Sequence, residues 1–72
     1  MTNEDIEFLL NVAKILTDTN NNTLKSTSVY IKNIDSEADI QNVKQILNGV
    51  IRIQDLINQI HDRVDYELEL RR

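Results

Sequence analysis

The chain's clearest capacity for metal chemistry lies in one histidine and the aspartates beside it. His61 is the only histidine, and Asp65 follows it by four residues, about one turn of a helix. Imidazole and carboxylate groups at that spacing can supply two ligands to one metal ion. A closed metal site takes about four ligands, and the chain has no cysteine to complete the set. We therefore predict no bound metal, no other cofactor and no thiol-based catalysis.

Two pairs of acidic residues offer a second route to a metal site. Glu4 and Glu7 lie near one end of the chain, and Asp62 and Asp65 lie near the other. The arrangement is similar to the paired acids with which some all-helical nucleotide pyrophosphohydrolases hold magnesium, except that aspartate replaces glutamate in the second pair. This difference keeps us from assigning that family. Acids at a helix start and on a solvated face explain all four residues without a metal, so a metal-dependent hydrolase is the weakest functional hypothesis.

A small group of basic and aromatic residues lies in the middle of the chain. Lys25, Tyr30 and Lys32 would form a patch able to bind an anion or a base if this segment folds back on the rest of the protein. His61 is a further candidate ligand contact, because it lies beside the apolar residues of the last predicted helix. These residues favour the alternative hypothesis of an oligomeric protein that binds a small anion or nucleotide in a pocket between chains.

The rest of the sequence has no pattern typical of an enzyme. The single glycine rules out a glycine-rich phosphate loop, and no serine lies in a nucleophile elbow. Twelve acidic and eight basic residues give a net charge of −4, which disfavours binding to nucleic acid or to an anionic membrane. No window reaches the ~18 apolar residues of a membrane span, and no signal sequence is recognisable at the start. We predict a soluble, cytoplasmic, non-catalytic protein.

The length of the chain limits it to one domain with a small core. It has 72 residues, and a chain of this size buries only about 60% of the surface that its unfolded form exposes. Without cysteine, no disulfide can add stability. Self-association is the remaining common source of stability, so we expect a homodimer or a higher oligomer. Asparagine and isoleucine are abundant, as in many AT-rich genomes, and we take a phage or another mobile element as a hypothesis for the origin.

Apolar residues recur at alternating steps of three and four in the second half of the chain. This spacing places them on one seam of a helix, as in a coiled coil. Isoleucine at alternate seam positions disfavours two-stranded packing and favours a bundle of three or four helices. A four-helix bundle results if two chains contribute two helices each. The predicted oligomer interface consists of Val43, Ile46, Val50, Ile53, Ile57, Ile60 and Val64.

Two helix start signals predict an all-α fold. Thr2 is followed after three residues by Asp5, and Ser36 is followed in the same way by Asp39. A hydroxyl residue with an acid three positions later is typical of a helix N-terminus. Both signals precede apolar residues at helical spacing. We therefore predict that one helix starts after Thr2 and that the last helix starts after Ser36.

The lengths of these helices determine how much surface each can cover. The first is predicted over about residues 3–17, because the polar run 17–22 favours turns. The last is predicted over about residues 36–70. The first helix would then cover at most half of the last, so we expect a second chain to cover the remainder. The apolar face of the first helix is wide, which predicts two packing neighbours.

Two segments leave alternatives open. We favour a short helix over residues 24–34, although the β-branched and aromatic residues there also suit a strand paired with a second copy of the chain. Asn48 and Gly49 could split the last helix, but the apolar seam keeps its phase across them and favours continuity. Ile51 lies off the seam and is a candidate contact for another protein.

These patterns favour a small helical interaction protein. We expect it to self-associate and to bind or inhibit a larger protein.

Overall fold

Two long α-helices form an antiparallel hairpin in the computed structural model, which describes all 72 residues. Helix α1 spans Asn3–Ile31 and helix α2 spans Glu37–Leu70, with five residues between them. There is no strand, so the prediction of an all-α fold is confirmed. The hairpin is about 55 Å long and about 15 Å across. The fold consists of these two packed helices, and no third element covers either of them.

Both predicted helix starts are confirmed. The Thr2 hydroxyl accepts a hydrogen bond of 3.1 Å from the Asp5 N–H, and the Thr2 N–H donates to the Asp5 carboxylate at 3.0 Å. This reciprocal capping box satisfies two backbone groups at the start of α1. At the start of α2, the Ser36 hydroxyl accepts a hydrogen bond of 3.2 Å from the Asp39 N–H. Short-range capping chemistry therefore defines where each helix begins.

The predicted end of the first helix near residue 17 is wrong, because α1 continues without a break to Ile31. The polar residues form hydrogen bonds that are compatible with a helix. The Thr17 hydroxyl donates to the Ala13 carbonyl at 2.8 Å, and the Thr19 hydroxyl donates to the Ile15 carbonyl at 2.9 Å. Each bond satisfies the side chain within the helix itself. Packing along α2 outweighs the weak helix propensity of this run.

The middle segment is not a separate element. Residues 24–31 form the last two turns of α1, and no strand is present. The Thr27 hydroxyl donates to the Thr23 carbonyl at 2.7 Å, the same bond from a residue to the one four before it. The helical interpretation of this segment is therefore correct, but the predicted break before it and its extension to residue 34 are not.

Helix α2 is continuous through Asn48 and Gly49, as the phase of the apolar seam predicts. Gly49 has no positive φ, so its backbone is in an ordinary helical conformation. A Cβ added at Gly49 would have no atom within 4 Å apart from its own helix and chain neighbours. Neither a turn nor a close approach of α1 requires the glycine.

Replacement of Gly49 by alanine should stabilise the protein. Alanine is favoured over glycine in a helix interior by about 0.8–1.0 kcal/mol, and no clash offsets this gain. We expect the Gly49→Ala variant to have a free energy of unfolding higher by up to about 1 kcal/mol in urea, followed by circular dichroism. A decrease would mean that another chain approaches this position.

The hairpin core is divided into an apolar half and a polar half. Residues that face each other across the hairpin have numbers that add up to about 70, as in the hydrogen bond between Asn20 and Val50. We call residues 1–17 and 53–72 the terminal half and residues 18–52 the loop half. The loop half buries Asn20, Thr27 and one apolar residue, Val43. The terminal half buries a cluster of five apolar residues, namely Ile6, Ala13, Ile57, Ile60 and Val64.

Most of the predicted seam packs inside a single chain. Four of its seven residues are buried, and α1 runs alongside nearly the whole of α2. The expectation that the first helix covers at most half of the last is therefore wrong, because α1 is 29 residues long. Val50 and Ile53 are half-buried, and Ile46 is exposed. Any surface for a second copy must include residues outside the seam.

Candidate interaction surfaces

Two hydrogen-bonded pairs mark the two sides of the hairpin. The Tyr30 hydroxyl donates to the Asp39 carboxylate at 2.7 Å, which joins the helices on one side. On the other side, the Arg71 guanidinium donates to the Asn3 side chain near the chain ends. Residues at multiples of seven from Tyr30, Asp39 or Asn3 lie on the same side of the helix as that residue, and residues one turn away on the exposed flank extend that side. We call these surfaces the Tyr30 side and the Arg71 side.

The Tyr30 side carries the most exposed apolar residues of α1. Phe8 is 65% exposed and Ile15 is 64% exposed. They lie four residues before and three residues after Val12, which is half-buried against the core cluster, so all three are neighbours on the helix surface. We call Phe8, Val12 and Ile15 the outer stripe. It extends the apolar surface of α1 beyond the part that α2 covers.

Helix α2 adds apolar residues beside the outer stripe. Ile53 packs against the core cluster, and Leu56, three residues later, is exposed on the same side. By the hairpin register, Leu56 lies level with the stretch of α1 between Val12 and Ile15. The terminal half therefore presents a surface on its Tyr30 side to which both helices contribute.

The Arg71 side has a second apolar surface, mainly in the loop half. Leu24 and Ile31 lie on α1 at multiples of seven from Asn3, and both are exposed. On α2, Ile40 and Leu47 lie seven residues apart, and Ile51 follows Leu47 by one turn. Ile51 is 58% exposed, which agrees with its predicted position off the seam. The two apolar surfaces thus lie on opposite sides of the hairpin, and the exposed Leu10 and Leu68 extend the second one into the terminal half.

The predicted patch of Lys25, Tyr30 and Lys32 is divided by the fold. Lys25 and Lys32 are exposed and lie seven residues apart, Lys25 within α1 and Lys32 at its C-cap. Tyr30 instead turns toward α2, where its hydroxyl bonds to Asp39. This bond raises the pKa of Tyr30 and lowers the pKa of Asp39, because it favours the neutral phenol and the charged carboxylate. The tyrosine serves to join the helices in the folded chain.

His61 is exposed on α2, and Gln54, seven residues before it, donates a hydrogen bond of 3.1 Å to Asn58. The structure brings no three histidine, aspartate or glutamate side chains together in a way that could hold a metal ion. Glu4, Glu7 and Asp62 therefore lie near one end without forming a metal-binding cluster. No pocket opens between the two helices of one chain.

The chain ends are held together by charged groups. The Arg63 guanidinium bonds to Glu67 at 2.7 Å and lies 5.2 Å from the centre of the Tyr66 ring. The amino group of Met1 lies 3.8 Å from the same Glu67 carboxylate. The terminal half has eight acidic and four basic residues, whereas the loop half has four of each, so the whole net charge of −4 lies in the terminal half. Glu7, one turn after Asn3, and Asp65, two heptads after Ile51, place acids of this half on the Arg71 side, away from the outer stripe.

Two buried polar residues of α1 were missed by the sequence analysis. Asn20 and Thr27 continue the seven-residue spacing of Ile6 and Ala13 on the buried face of α1. The Asn20 amide donates to the Val50 carbonyl at 3.1 Å, but its oxygen is buried without a hydrogen-bond partner. The spacing is visible in the sequence, but Asn20 lies in a polar run that favours turns, and the β-branched Thr27 lies in the segment that also suits a strand. The seven-residue repeat of α1 therefore buries the Asn20 amide opposite Val50 of α2.

Comparison with known protein families, with curated proteins and with solved structures finds no match to this chain. Neither helix has a stretch that is long and apolar enough to cross a membrane. The two apolar surfaces and the charges around them are the features of the hairpin that suit binding to another protein.

Proposed function

We propose that this protein is a small non-catalytic interaction protein that self-associates and binds or inhibits a larger protein. The observation that carries the proposal is the exposed apolar surface on both sides of the hairpin. Fourteen large hydrophobic residues are exposed, whereas only six hydrophobic residues are buried. Monomeric soluble proteins rarely expose large contiguous apolar patches, and such patches usually mark interaction sites. The binding of an anion or nucleotide between chains remains an alternative prediction.

Self-association would supply the stability that one hairpin lacks. The apolar cluster has five buried residues and lies in one half of the molecule. A core this small rarely provides more than about 3–5 kcal/mol without a disulfide, a metal or oligomerisation. A second copy packed against the hairpin would form a four-helix bundle.

Sedimentation equilibrium over a wide concentration range tests this part of the proposal. The chain mass is 8.4 kDa, and we expect a mass of about twice that value at micromolar concentrations. Helical circular dichroism at the same concentrations shows whether the species is folded. A folded protein that has the monomer mass at every concentration would contradict the proposed self-association.

The larger partner is expected to contact the Arg71 side of the loop half. Ile51 is highly exposed there, beside Leu47, and this half has no net charge. Affinity capture from a lysate of the source organism should recover the same protein repeatedly with the wild-type chain and lose it with the Ile51→Lys variant. Ile15→Lys places the same charge on the other side of the hairpin and tests whether capture depends on Ile51 itself. Equal recovery with wild type and Ile51→Lys would contradict this contact.

A further inference from the structure

We propose that a second copy of this chain docks on the Tyr30 side of the terminal half, over the outer stripe of Phe8, Val12 and Ile15 together with Ile53 and Leu56. This inference rests on the self-association in the proposed function and specifies the surface that performs it. It also differs from the interface expected from the apolar seam, because most of the seam is already covered by α1.

The apolar face of α1 is wide enough to contact two neighbouring helices. One line of residues, which includes Ile6 and Ala13, is buried against α2. The outer stripe forms a second line, with Phe8 and Ile15 also seven residues apart. Two lines at heptad spacing on one helix fit two neighbouring helices, as in a bundle. Only one of those neighbours is present within the chain.

A second copy of the chain can supply the helix that packs on the outer stripe. Because the core of the hairpin is small, the outer stripe has to be covered whenever the chain is folded. Another copy of the chain is present wherever the chain is made, so it can supply that cover. Its own helices have the length and the heptad spacing that the outer stripe requires. A twofold axis lets both copies use the same surface, so the apolar residues of one are met by those of the other.

The Tyr30 side also offers enough area for a second copy. From its extents of 55 and 15 Å, one whole long side of the hairpin covers roughly 800 Å², which is the area that each partner buries in a standard interface. The second copy therefore lies along both halves of the Tyr30 side, with its main apolar contacts in the terminal half. Most of the apolar residues of this side lie in the terminal half, and polar residues such as Asn22 and Ser26 separate them from the exposed Val29 near the end of α1. An apolar centre with a polar surround is the usual composition of such interfaces.

A matched pair of isoleucines tests the location. Ile15 and Ile51 are 64% and 58% exposed, lie within helices, and can both be replaced by lysine with the same change in charge. We expect Ile15→Lys to raise the dimer dissociation constant by about a hundredfold or more, because the change occurs twice in a twofold dimer. Ile51→Lys should leave it within about threefold of wild type, as measured by sedimentation.

The outcomes separate this inference from the proposed self-association. A wild-type monomer would refute both. A wild-type dimer that survives Ile15→Lys as well as it survives Ile51→Lys would leave self-association standing and overturn the proposed surface. Dissociation by Ile51→Lys alone would overturn it as well, and would place the second copy on the Arg71 side.

A second measurement keeps the inference testable if Ile15→Lys fails to fold. The chain has no cysteine, so Ile15→Cys and Ile51→Cys each provide a single site for a polarity-sensitive fluorophore. We expect the emission of the label at position 15 to shift to shorter wavelength as the concentration rises through the dimerisation range, because the site becomes buried. The label at position 51 should not respond. Equal responses, or a response only at position 51, would contradict the proposed surface.

Discussion

The Ile57→Ala variant is expected to lose most of the stability of the fold. Ile57 is 3% exposed and belongs to the five-residue apolar cluster, the only such cluster in the hairpin. Truncation of a buried isoleucine to alanine costs about 2–5 kcal/mol, through lost burial and the cavity that remains. That loss is comparable to the about 3–5 kcal/mol that a core of this size supplies. Urea unfolding followed by circular dichroism, at one fixed chain concentration, measures the change.

Ile51→Ala is the matched control, because the same substitution is made six residues earlier on the same helix at a highly exposed position. We expect its free energy of unfolding to stay within about 0.5 kcal/mol of wild type. The contrast between the two variants isolates the contribution of burial from that of helix propensity. A similar small effect at both positions would mean that the terminal cluster does not hold the hairpin together.

The burial of Ile57 could be predicted from the sequence, because a heptad pattern depends on many residues at once, but the sequence predicted an interface between chains and the structure buries Ile57 within one chain. Val43, Ile57, Ile60 and Val64 all lie on the predicted seam, and all are buried. The same pattern predicted that Asn48 and Gly49 do not break α2. Periodicity over three turns or more outweighs one weak helix former, since each apolar position adds to the same packing surface.

The length of α1 could not be predicted in this way. Its second half buries Asn20 and Thr27 where an apolar residue is expected, so the heptad pattern of hydrophobic residues ends at Ala13. Whether Thr27 caps a turn or bonds back within a helix depends on what lies opposite, and here α2 lies opposite. The early end predicted for α1 also led to the wrong estimate of how much of the seam was left for a second chain.

The candidate surfaces, too, could be predicted only as far as they depend on the pattern within one helix, and not where they depend on how the two helices pack. The wide apolar face of the first helix was visible in the sequence, and it includes Phe8 and Ile15. Which part of that face stays exposed depended on the side from which α2 packs. The Tyr30 hydroxyl was considered for ligand binding, but the hairpin turn brings Asp39 within 2.7 Å of it. That contact requires both helices and has no signature in either one alone.

The Asn20→Leu variant is expected to be more stable than wild type. The Asn20 side chain is 4% exposed, and its oxygen has no hydrogen-bond partner. A buried acceptor without a partner costs about 1–3 kcal/mol, and the leucine variant removes this cost. The variant also loses the hydrogen bond to the Val50 carbonyl, which lowers stability by only about 1 kcal/mol. Leucine has a similar branched shape and adds apolar burial. We expect a net increase of about 1–3 kcal/mol in the free energy of unfolding.

Asn21→Leu controls for the better helix propensity of leucine, because Asn21 is the exposed neighbour of Asn20 on the same helix. The difference between the two variants in urea unfolding then reports the buried site alone. An Asn20→Leu variant no more stable than Asn21→Leu would show that the amide oxygen finds a partner in solution, such as a donor from a second copy.

Because the buried Asn20 lowers the stability of the hairpin, we expect it to have another role. The connection between the helices has only five residues, so it already limits how α1 can slide along α2. Asn20 is therefore not required for register within one chain. A single buried asparagine in a helical bundle can instead disfavour other oligomers, because each alternative leaves the amide without its bond. We expect Asn20→Leu to broaden the distribution of masses in native mass spectrometry, while Asn21→Leu keeps that of wild type. A single mass for Asn20→Leu would mean that the amide only lowers stability.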